Sequence, residues 1–416
     1  MKKKLFIWIL GSLAAGAAVG LTCGNALFAG RPLTAYISPF GTIFIRLLQM
    51  SVTPIILFSL TAATAGMSPA RLGKMGMKTA ALYLGTGVAA ALIALFFANF
   101  FPFEGTILSV RLKGSSLPSL HETSFLDTLT GIVPTNPFAA LASGNILQVI
   151  FFAVFFGVGL AFLRDSTKEE IRTAADLLYR GCSGLAEVMY RLVHGIMYYA
   201  PVGVFALMVD VFAKNGWEVL APLAEFIGVV YLAFAVQLFV VYGLLLRYAG
   251  WTLPDFLNAA RAPLMTAFVT RSSSAALPVS LEAAEENLGI SRSVSSFTLP
   301  LGATLNMDGV TIQQCISVFF IAGIAGLPLD FSQQVSILFV TVLASIGTAG
   351  IPSGAAVMLL AVLDSVGLVP ADGSAVAAAY AMLLGIDAVM DMGQTGLNVT
   401  GDLVCAAVIG RTENKG

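Results

Sequence analysis

The chain has 416 residues, of which 57% are apolar and only 11% charged, and its formal net charge is −1. A soluble domain carries about 25% charged residues, so this composition excludes one, and a near-neutral balance without a basic stripe excludes a nucleic-acid surface. The four cysteines, Cys23, Cys182, Cys315 and Cys405, stand singly in apolar surroundings without Cys/His spacing, which argues against a disulfide framework and a zinc site.

Apolar runs near the bilayer-spanning length of ~20 residues recur from residue 5 to residue 408, with no hydrophilic block large enough to fold alone, so the chain reads as one membrane domain. The first run, 5–28, follows Lys2, Lys3 and Lys4 and is long for a signal segment, which predicts a retained first helix. Further spans are predicted over 36–66, 79–101, 146–163, 185–212 and 219–246. Basic residues mark the cytoplasmic ends: Lys2 to Lys4, then Arg71, Lys74 and Lys78, then Arg164, Lys168, Arg172 and Arg180. The amino terminus is therefore expected in the cytoplasm, and the connection 102–144, with Pro134, Asn136 and Pro137 near its end, reads as an outer loop.

The second half departs from this plan. Residues 262–269 are an apolar run of roughly 12 Å as a helix, less than half of a ~30 Å hydrocarbon core. Thr270, Arg271, Ser272, Ser273 and Ser274 interrupt it, the chain turns apolar again over 275–281, and acidic Glu282, Glu285 and Glu286 follow. A re-entrant hairpin with a serine tip fits this pattern. A second segment repeats it: 335–344, then Ser345, Gly347, Thr348, Gly350, Pro352, Ser353 and Gly354, then 355–366. Irregular backbone at membrane depth is tolerated where protein or a water-filled cavity satisfies it, and paired interrupted segments point to a transport site. The plain alternative is a pair of irregular loops between full helices.

After each hairpin comes a span with polar groups that lipid would not accept. The run 296–323 is broken at Thr304, Asn306, Asp308 and Gly309, where freed carbonyls and side-chain oxygens suit a hard cation such as Na+. The run 375–408 carries Asp387, Asp391, Thr395, Asn398 and Asp402 along one face, with Gln394 beside it. Intramembrane carboxylates are functional candidates by default; buried interhelical hydrogen bonds are the bland alternative. The sequon at 398–400 is accidental at membrane depth.

The segments TRSSSAALPVS at 270–280, SFTLPLGATLNMDG at 296–309, LASIGTAGIPSG at 343–354 and GIDAVMDMGQTGLNVTGD at 385–402 resemble, in order, the signature runs of the dicarboxylate/amino acid:cation symporter family, the archaeal and bacterial glutamate-transporter homologues. SPARLGKMG at 68–76, IVPTNPF at 132–138 and YAPVGVFAL at 199–207 are similar to the same family, so the resemblance covers essentially the whole chain. It implies an all-α homotrimer in the cell's inner membrane, each protomer with eight transmembrane helices and two re-entrant hairpins arranged as inverted repeats. A static scaffold, about 1–66 and 130–212, would carry a mobile unit, about 79–103 and 219–410, that moves as an elevator.

The resemblance also implies ligands. One Na+ site would use Gly302, Asn306, Asn398 and Asp402, a second Thr304 with Ser345, Ile346 and Thr348, and a third Tyr83, Thr86, Asn306 and Asp308, with Gly87 where the family often has a serine. The solute would meet Ser272, Ser273, Ser274, Met307, Val310, Ala349 and Gly350, with Asn398 on its carboxylate and Asp391 and Thr395 on its ammonium. Arg271 would pair with Asp391 or a neighbour. Acidic-substrate relatives have an arginine and a threonine where this chain has Gln394 and Val310, which implies a small neutral amino acid; the alternative is an acidic amino acid or C4-dicarboxylate held by Arg271, with Na+ or H+ coupling. Gln314 stands where K+-coupled members have a glutamate. Arg46 and Arg191 read as interface or headgroup residues and His194 as a core histidine.

Two other classes are weighed. A membrane hydrolase acting through one of the serines would need a base, and His121 and His194 are the only histidines, both far from the motifs in sequence. A channel would need no pair of gates, whereas two hairpins favour alternating access.

Overall fold

The computed structural model describes residues 2–24, 26–28, 30–66, 73–103, 130–346, 348, 350–371 and 374–413. Among them, six helices are long and apolar enough to cross a membrane, and shorter apolar helices accompany them. The first half comprises α1 (Lys2–Cys23), α2 (Leu33–Gly66), α3 (Gly73–Phe100), α4 (Pro137–Ser143), α5 (Ile146–Arg164) and α6 (Glu169–Asn215). The second comprises α7 (Leu220–Val236), a π-helical turn (Gln237–Tyr242), α8 (Gly243–Ala249), α9 (Leu253–Ala259), α10 (Arg261–Thr270), α11 (Ser273–Glu286), α12 (Arg292–Leu305), α13 (Asp308–Ile324), α14 (Phe331–Ile346), α15 (Gly354–Ser365) and α16 (Ala375–Glu413).

Two elements correct the sequence reading. The first span stops at Cys23, and Leu27–Phe28 (β1) pairs antiparallel with Arg31–Pro32 (β2) around Gly30, whose φ of 81° suits a tight turn. The expected span 185–212 is part of a 47-residue helix beginning at Glu169. At 1.5 Å per residue that is about 70 Å, roughly twice a bilayer core, so its charged first turns project out. Arg164 ties this end down: its Nε donates to Asp176 at 2.7 Å, its guanidinium donates to the Ala65 carbonyl at 2.6 Å, and it lies 3.9 Å over the Tyr179 ring.

The expected hairpins are present. In the first, α10 turns into α11 through Arg271 (φ 54°) and Ser272, whose Oγ caps α11 by accepting from the Ala275 N–H at 3.2 Å. In the second, α15 follows Ser353 (φ 61°). A non-glycine residue in the left-handed region costs about 1–2 kcal/mol, so both tips are held there by neighbours. The span broken at the NMDG run divides into α12 and α13, with Asn306 and Met307 outside helical geometry.

Packing separates two groups. Helices α1, α2, α5 and α6 pack on one another, while α3, α7, α8 and α10 to α16 gather around the buried α13 and α16. The groups meet where α1 and α6 touch α16 and where α2 and α5 touch α15. The second hairpin arm is covered there, with Gly354 to Leu363 all buried. The first hairpin packs on α12 and α16, and its arm α10 exposes Met265, Phe268 and Val269.

Candidate functional site

The two hairpin tips, the break between α12 and α13, and the polar face of α16 surround a small cavity of about 10 Å³. Asp391, Gln394, Thr395 and Asn398 line it because i, i+3, i+4 and i+7 share a helix face. Asp391 is held from several sides. Its Oδ1 accepts from Gln394 Nε2 at 2.6 Å and from Thr395 Oγ1 at 3.4 Å, its Oδ2 from the Ser353 N–H at 2.9 Å, and Arg271 lies 3.8 Å from Oδ2.

The opposite wall comes from the start of α13. An added Cβ at Gly309 would lie 2.5 Å from the Gln394 carbonyl oxygen, so only glycine lets α13 begin flush against α16. The Gly309 N–H then reaches Asn398 Oδ1 at 2.7 Å, and Asn398 Nδ2 approaches Met307 Sδ at 3.2 Å. Met307, Val310 and Ala355 form a small apolar cluster of their own on this wall. The cavity therefore offers charge at the Asp391–Arg271 end and an apolar surface with two carboxamides, Gln394 and Asn398, beside it.

Of the serines expected to touch the solute, only Ser273 lines the cavity. Ser272 Oγ instead donates to the Gly350 carbonyl at 2.7 Å and the Ser274 N–H donates to the same oxygen at 3.2 Å, so these two close the seam between the hairpins. Gly350 and Thr348 line the cavity, together with Ile351 and Ala355, which the sequence reading missed because apolar wall residues carry no polar signature. Ala349 and Gly347 lie outside the described residues. Asp387 shares the helix stripe but faces elsewhere, lining with Arg271 and Ser353 a neighbouring cavity of about 10 Å³ against Ile9, Phe44, Leu48 and Val204. His194 is exposed rather than in the core, edge-on to Tyr198 with ring centroids 5.3 Å apart. Arg191 bonds Glu187 at 3.1 Å on the same exposed face.

Two of the three sets of residues implied as cation ligands meet at Asn306. Asn306 Nδ2 donates to Asp402 Oδ1 at 3.1 Å, and the Gly302 carbonyl accepts from the Asn306 N–H at 2.9 Å. A Cβ at Gly302 would run into the Asp402 carboxylate and come within 2.7 Å of the Tyr83 hydroxyl, so glycine opens the cradle that Asp402 enters. In the second set, Thr304, Ser345 and Thr348 each donate to a carbonyl of the preceding turn, at 3.0, 2.8 and 3.1 Å, leaving lone pairs for a cation. A Cβ at Gly350 would lie 3.0 Å from the Ala303 oxygen, so the hairpin tip that follows Ile346 abuts α12 one residue before Thr304. In the third, Thr86 Oγ1 lies 3.1 Å from Asn306 Oδ1 and 3.4 Å from Asp308 Oδ1, while the Tyr83 hydroxyl donates to the Thr298 carbonyl at 2.8 Å.

Among the described residues no cluster of three or more His, Cys, Asp and Glu exists. The mixture of carboxylate, amide, hydroxyl and backbone oxygens fits a hard cation rather than a transition metal. Sequence reasoning missed two residues here: Gln237 Nε2 and the Tyr242 hydroxyl donate to Asp308 Oδ2 at 2.9 and 2.8 Å.

Comparison with known proteins is consistent along the chain. The model of the sodium:dicarboxylate symporter family matches residues 5–412. A proton/sodium-glutamate symport protein of Geobacillus stearothermophilus is 34% identical over 96% of this chain and 93% of its own length. A proton/glutamate-aspartate symporter of Escherichia coli (strain K12) is also 34% identical, over 91% of this chain and 86% of its own. A C4-dicarboxylate transport protein of Brucella anthropi is 31% identical over 99% of this chain and 90% of its own.

Proposed function

The chain belongs to the sodium:dicarboxylate symporter family, whose members are transporters and not enzymes, and from that premise we propose that it is a Na+-coupled symporter of a small neutral amino acid. It works as a homotrimer in the cytoplasmic membrane by elevator-type alternating access, with α1, α2, α5 and α6 as scaffold and the group around α13 and α16 as the moving unit. The observation that carries the substrate assignment is Gln394, whose amide donates to Asp391 inside the cavity beside the apolar Met307, Val310 and Ala355.

The charge balance supports it. Among the residues lining the cavity, Arg271 brings one positive charge and Asp391 one negative. A zwitterion adds one of each, so its ammonium pairs with Asp391 and its carboxylate meets Asn398 and the serine tip. The side-chain carboxylate of aspartate would be a further buried anion without its own cation, a loss of several kcal/mol. A small side chain instead rests on Val310 and Met307 or hydrogen-bonds to Gln394. Solute binding holds the tips together through Ser272 and Gly350. In this reading the covered second hairpin arm, against α2 and α5, and the exposed arm α10 of the first are what an inward-facing carrier would present.

Na+ supplies the positive charge that Asp402 and Asp308 need at membrane depth. Gly302, Asn306, Asn398 and Asp402 would hold one ion, Thr304, Ser345, Ile346 and Thr348 a second, and Tyr83, Thr86, Asn306 and Asp308 a third. A second reading, an acidic amino acid or C4-dicarboxylate as solute with Na+ or H+ coupling, is favoured by Arg271 on the cavity wall and by the relatives' substrates. Uptake into liposomes by the purified protein separates the two, with labelled serine, alanine, threonine, glutamine, aspartate and succinate under imposed Na+ or H+ gradients. Saturable Na+-driven uptake of a neutral amino acid supports the first. Uptake of aspartate or succinate with neutral amino acids ignored overturns it and assigns Arg271 to the side-chain carboxylate.

A further inference from the structure

We propose that Gln237, on the π-helical turn between α7 and α8, is a ligand of the cation held at Asp308. The proposal rests on the Na+-coupled reading above and deepens it at one site.

Oxygens are in excess there. The Thr86 hydroxyl has one proton and faces three acceptors, the Tyr83 carbonyl at 3.1 Å, Asn306 Oδ1 at 3.1 Å and Asp308 Oδ1 at 3.4 Å. It can serve one of them. None of the ion pairs among the described residues includes Asp308, and a carboxylate at membrane depth requires a partner. Beside Asp308 Oδ1 there is room: a Cβ at Gly87 would lie 3.8 Å from that oxygen and meet nothing else within 4 Å. On α3, Tyr83 and Thr86 face this point, and Gly87 beside them supplies no side chain to a cation there.

Gln237 fills the deficit. Its side chain is fully buried, and its Oε1 has no hydrogen-bond partner. Its Nε2 lies between two of the oxygens a cation would take, the Thr86 carbonyl at 3.3 Å and Asp308 Oδ2 at 2.9 Å. The amide nitrogen thus donates to one carbonyl and one carboxylate oxygen. A half-turn about the terminal torsion exchanges the two atoms and presents Oε1 to the cation in their place, a rotation that the broad, two-fold torsion of a carboxamide permits. The Tyr242 hydroxyl keeps hold of Asp308 Oδ2 meanwhile, at 2.8 Å.

The π-helical turn explains how both side chains reach the same carboxylate. Positions i and i+5 stand about 140° apart on an α-helix, which would aim Gln237 and Tyr242 at different neighbours. A turn with i→i+5 hydrogen bonds stacks them instead, and such insertions are frequent at functional sites. A buried amide on an irregular turn, set among the oxygens around Asp308 with its own oxygen left without a partner, is the arrangement a cation completes once the amide turns over.

The test is Na+ binding without transport: thermal unfolding of the purified protein in nanodiscs against NaCl, with choline chloride holding ionic strength. Wild type should be stabilised by Na+. Gln237→Leu should raise the midpoint Na+ concentration by about tenfold or more, the scale of a lost metal-site partner, and lower the steepness of the titration. Gln237→Glu keeps an oxygen in place and should retain Na+ binding, whereas a residue acting only as amide donor to Asp308 would be as impaired by Glu as by Leu. Gly87→Ser in the Leu background should restore part of the affinity. If Gln237→Leu does not fold, Gln237→Asn, which withdraws the amide by one methylene, must show the same loss. An unchanged midpoint in Leu or Asn, or equal damage by Glu and Leu, overturns the assignment of Gln237 while leaving Na+ coupling intact. A wild type indifferent to Na+ overturns both.

Discussion

Ser272→Ala isolates the contact that shuts the two hairpins on each other. The hydroxyl makes two bonds with different consequences. Its acceptor role toward the Ala275 N–H, at 3.2 Å, lies within the first hairpin and is the same whether the tips are together or apart. Losing that cap lowers overall stability by about 1 kcal/mol and leaves gating unaffected. Its donor bond to the Gly350 carbonyl, at 2.7 Å, crosses between hairpins and exists only when they are closed. A net hydrogen bond contributes about 0.5–1.5 kcal/mol, and Gly350 retains the Ser274 N–H at 3.2 Å, so the closed state should lose about 1 kcal/mol relative to the open one. Where closure is linked to binding, that converts into an apparent solute affinity lower by about fivefold. Calorimetric titration at saturating Na+ reads it directly. Ser280→Ala, which removes a hydroxyl bonded only to Ala276 of its own helix, is the control and should bind as wild type. Ser274→Ala should also bind as wild type, because its backbone N–H makes the contact. Equal affinity in wild type and Ser272→Ala, or an equal loss in Ser274→Ala, would refute the seam.

Four further outcomes follow from the same geometry. Gly302→Ala pushes a methyl into the Asp402 carboxylate, so the Na+ concentration for half-maximal uptake should rise at least about tenfold; an unchanged curve removes Gly302 from the site. Asp402→Asn should abolish Na+-driven uptake, and full activity in Na+-free buffer under a proton gradient would sink the assignment of Asp402. Gln394→Arg with Val310→Thr should move preference toward aspartate, seen as competition by aspartate against the labelled neutral solute; no change in competition counts against the pocket reading. Internal K+ should be dispensable, because Gln314 is an amide that does not titrate, and uptake that starts only when K+ is loaded into vesicles would contradict this.

The parts of the fold legible in the sequence are those where a bilayer makes a residue choice costly. Arg271 and three serines after eight apolar residues cannot lie in a lipid-facing span, so the hairpin is announced by composition, and so is the broken span at Asn306 and Asp308. Direction was harder to read than presence. Ser272, Ser273 and Ser274 are consecutive and point different ways, and only packing decides that Ser273 meets the cavity while its neighbours meet Gly350. Asp387 and Asp391 are one helical turn apart, yet they face separate cavities because Ser353 and Arg271 stand between them. The π-helical turn left no mark at all: QLFVVY is apolar and β-branched, and the i→i+5 pattern has no residue signature. Gln237, which with Glu225 interrupts an otherwise apolar span, was the available signal, and the sequence does not say what it meets. The charged start of α6 was lost to the hydropathy pattern because a helix does not stop where the bilayer does.

The break between α12 and α13 explains why cation and solute should bind together in the Na+-coupled reading. Asn306 and Asp308 face the cation oxygens, while Met307 between them faces the solute cavity. Alternation of this kind needs extended backbone, since on a continuous helix adjacent residues are only about 100° apart. The same segment is pinned to α16 by the Gly309 N–H on Asn398 and by Asn306 on Asp402, one helical turn apart. A cation that fixes Asn306 and Asp402 thereby fixes Met307 and Asn398, the two walls between which the solute carboxylate and side chain sit. In that reading the cation also offsets the repulsion between the buried Asp402 and Asp308 at membrane depth. Linkage requires the converse at equal strength: a solute that orders Asn398 and Met307 tightens the cation by the factor by which the cation tightens the solute. Symport then follows from one short, non-helical stretch read from both sides.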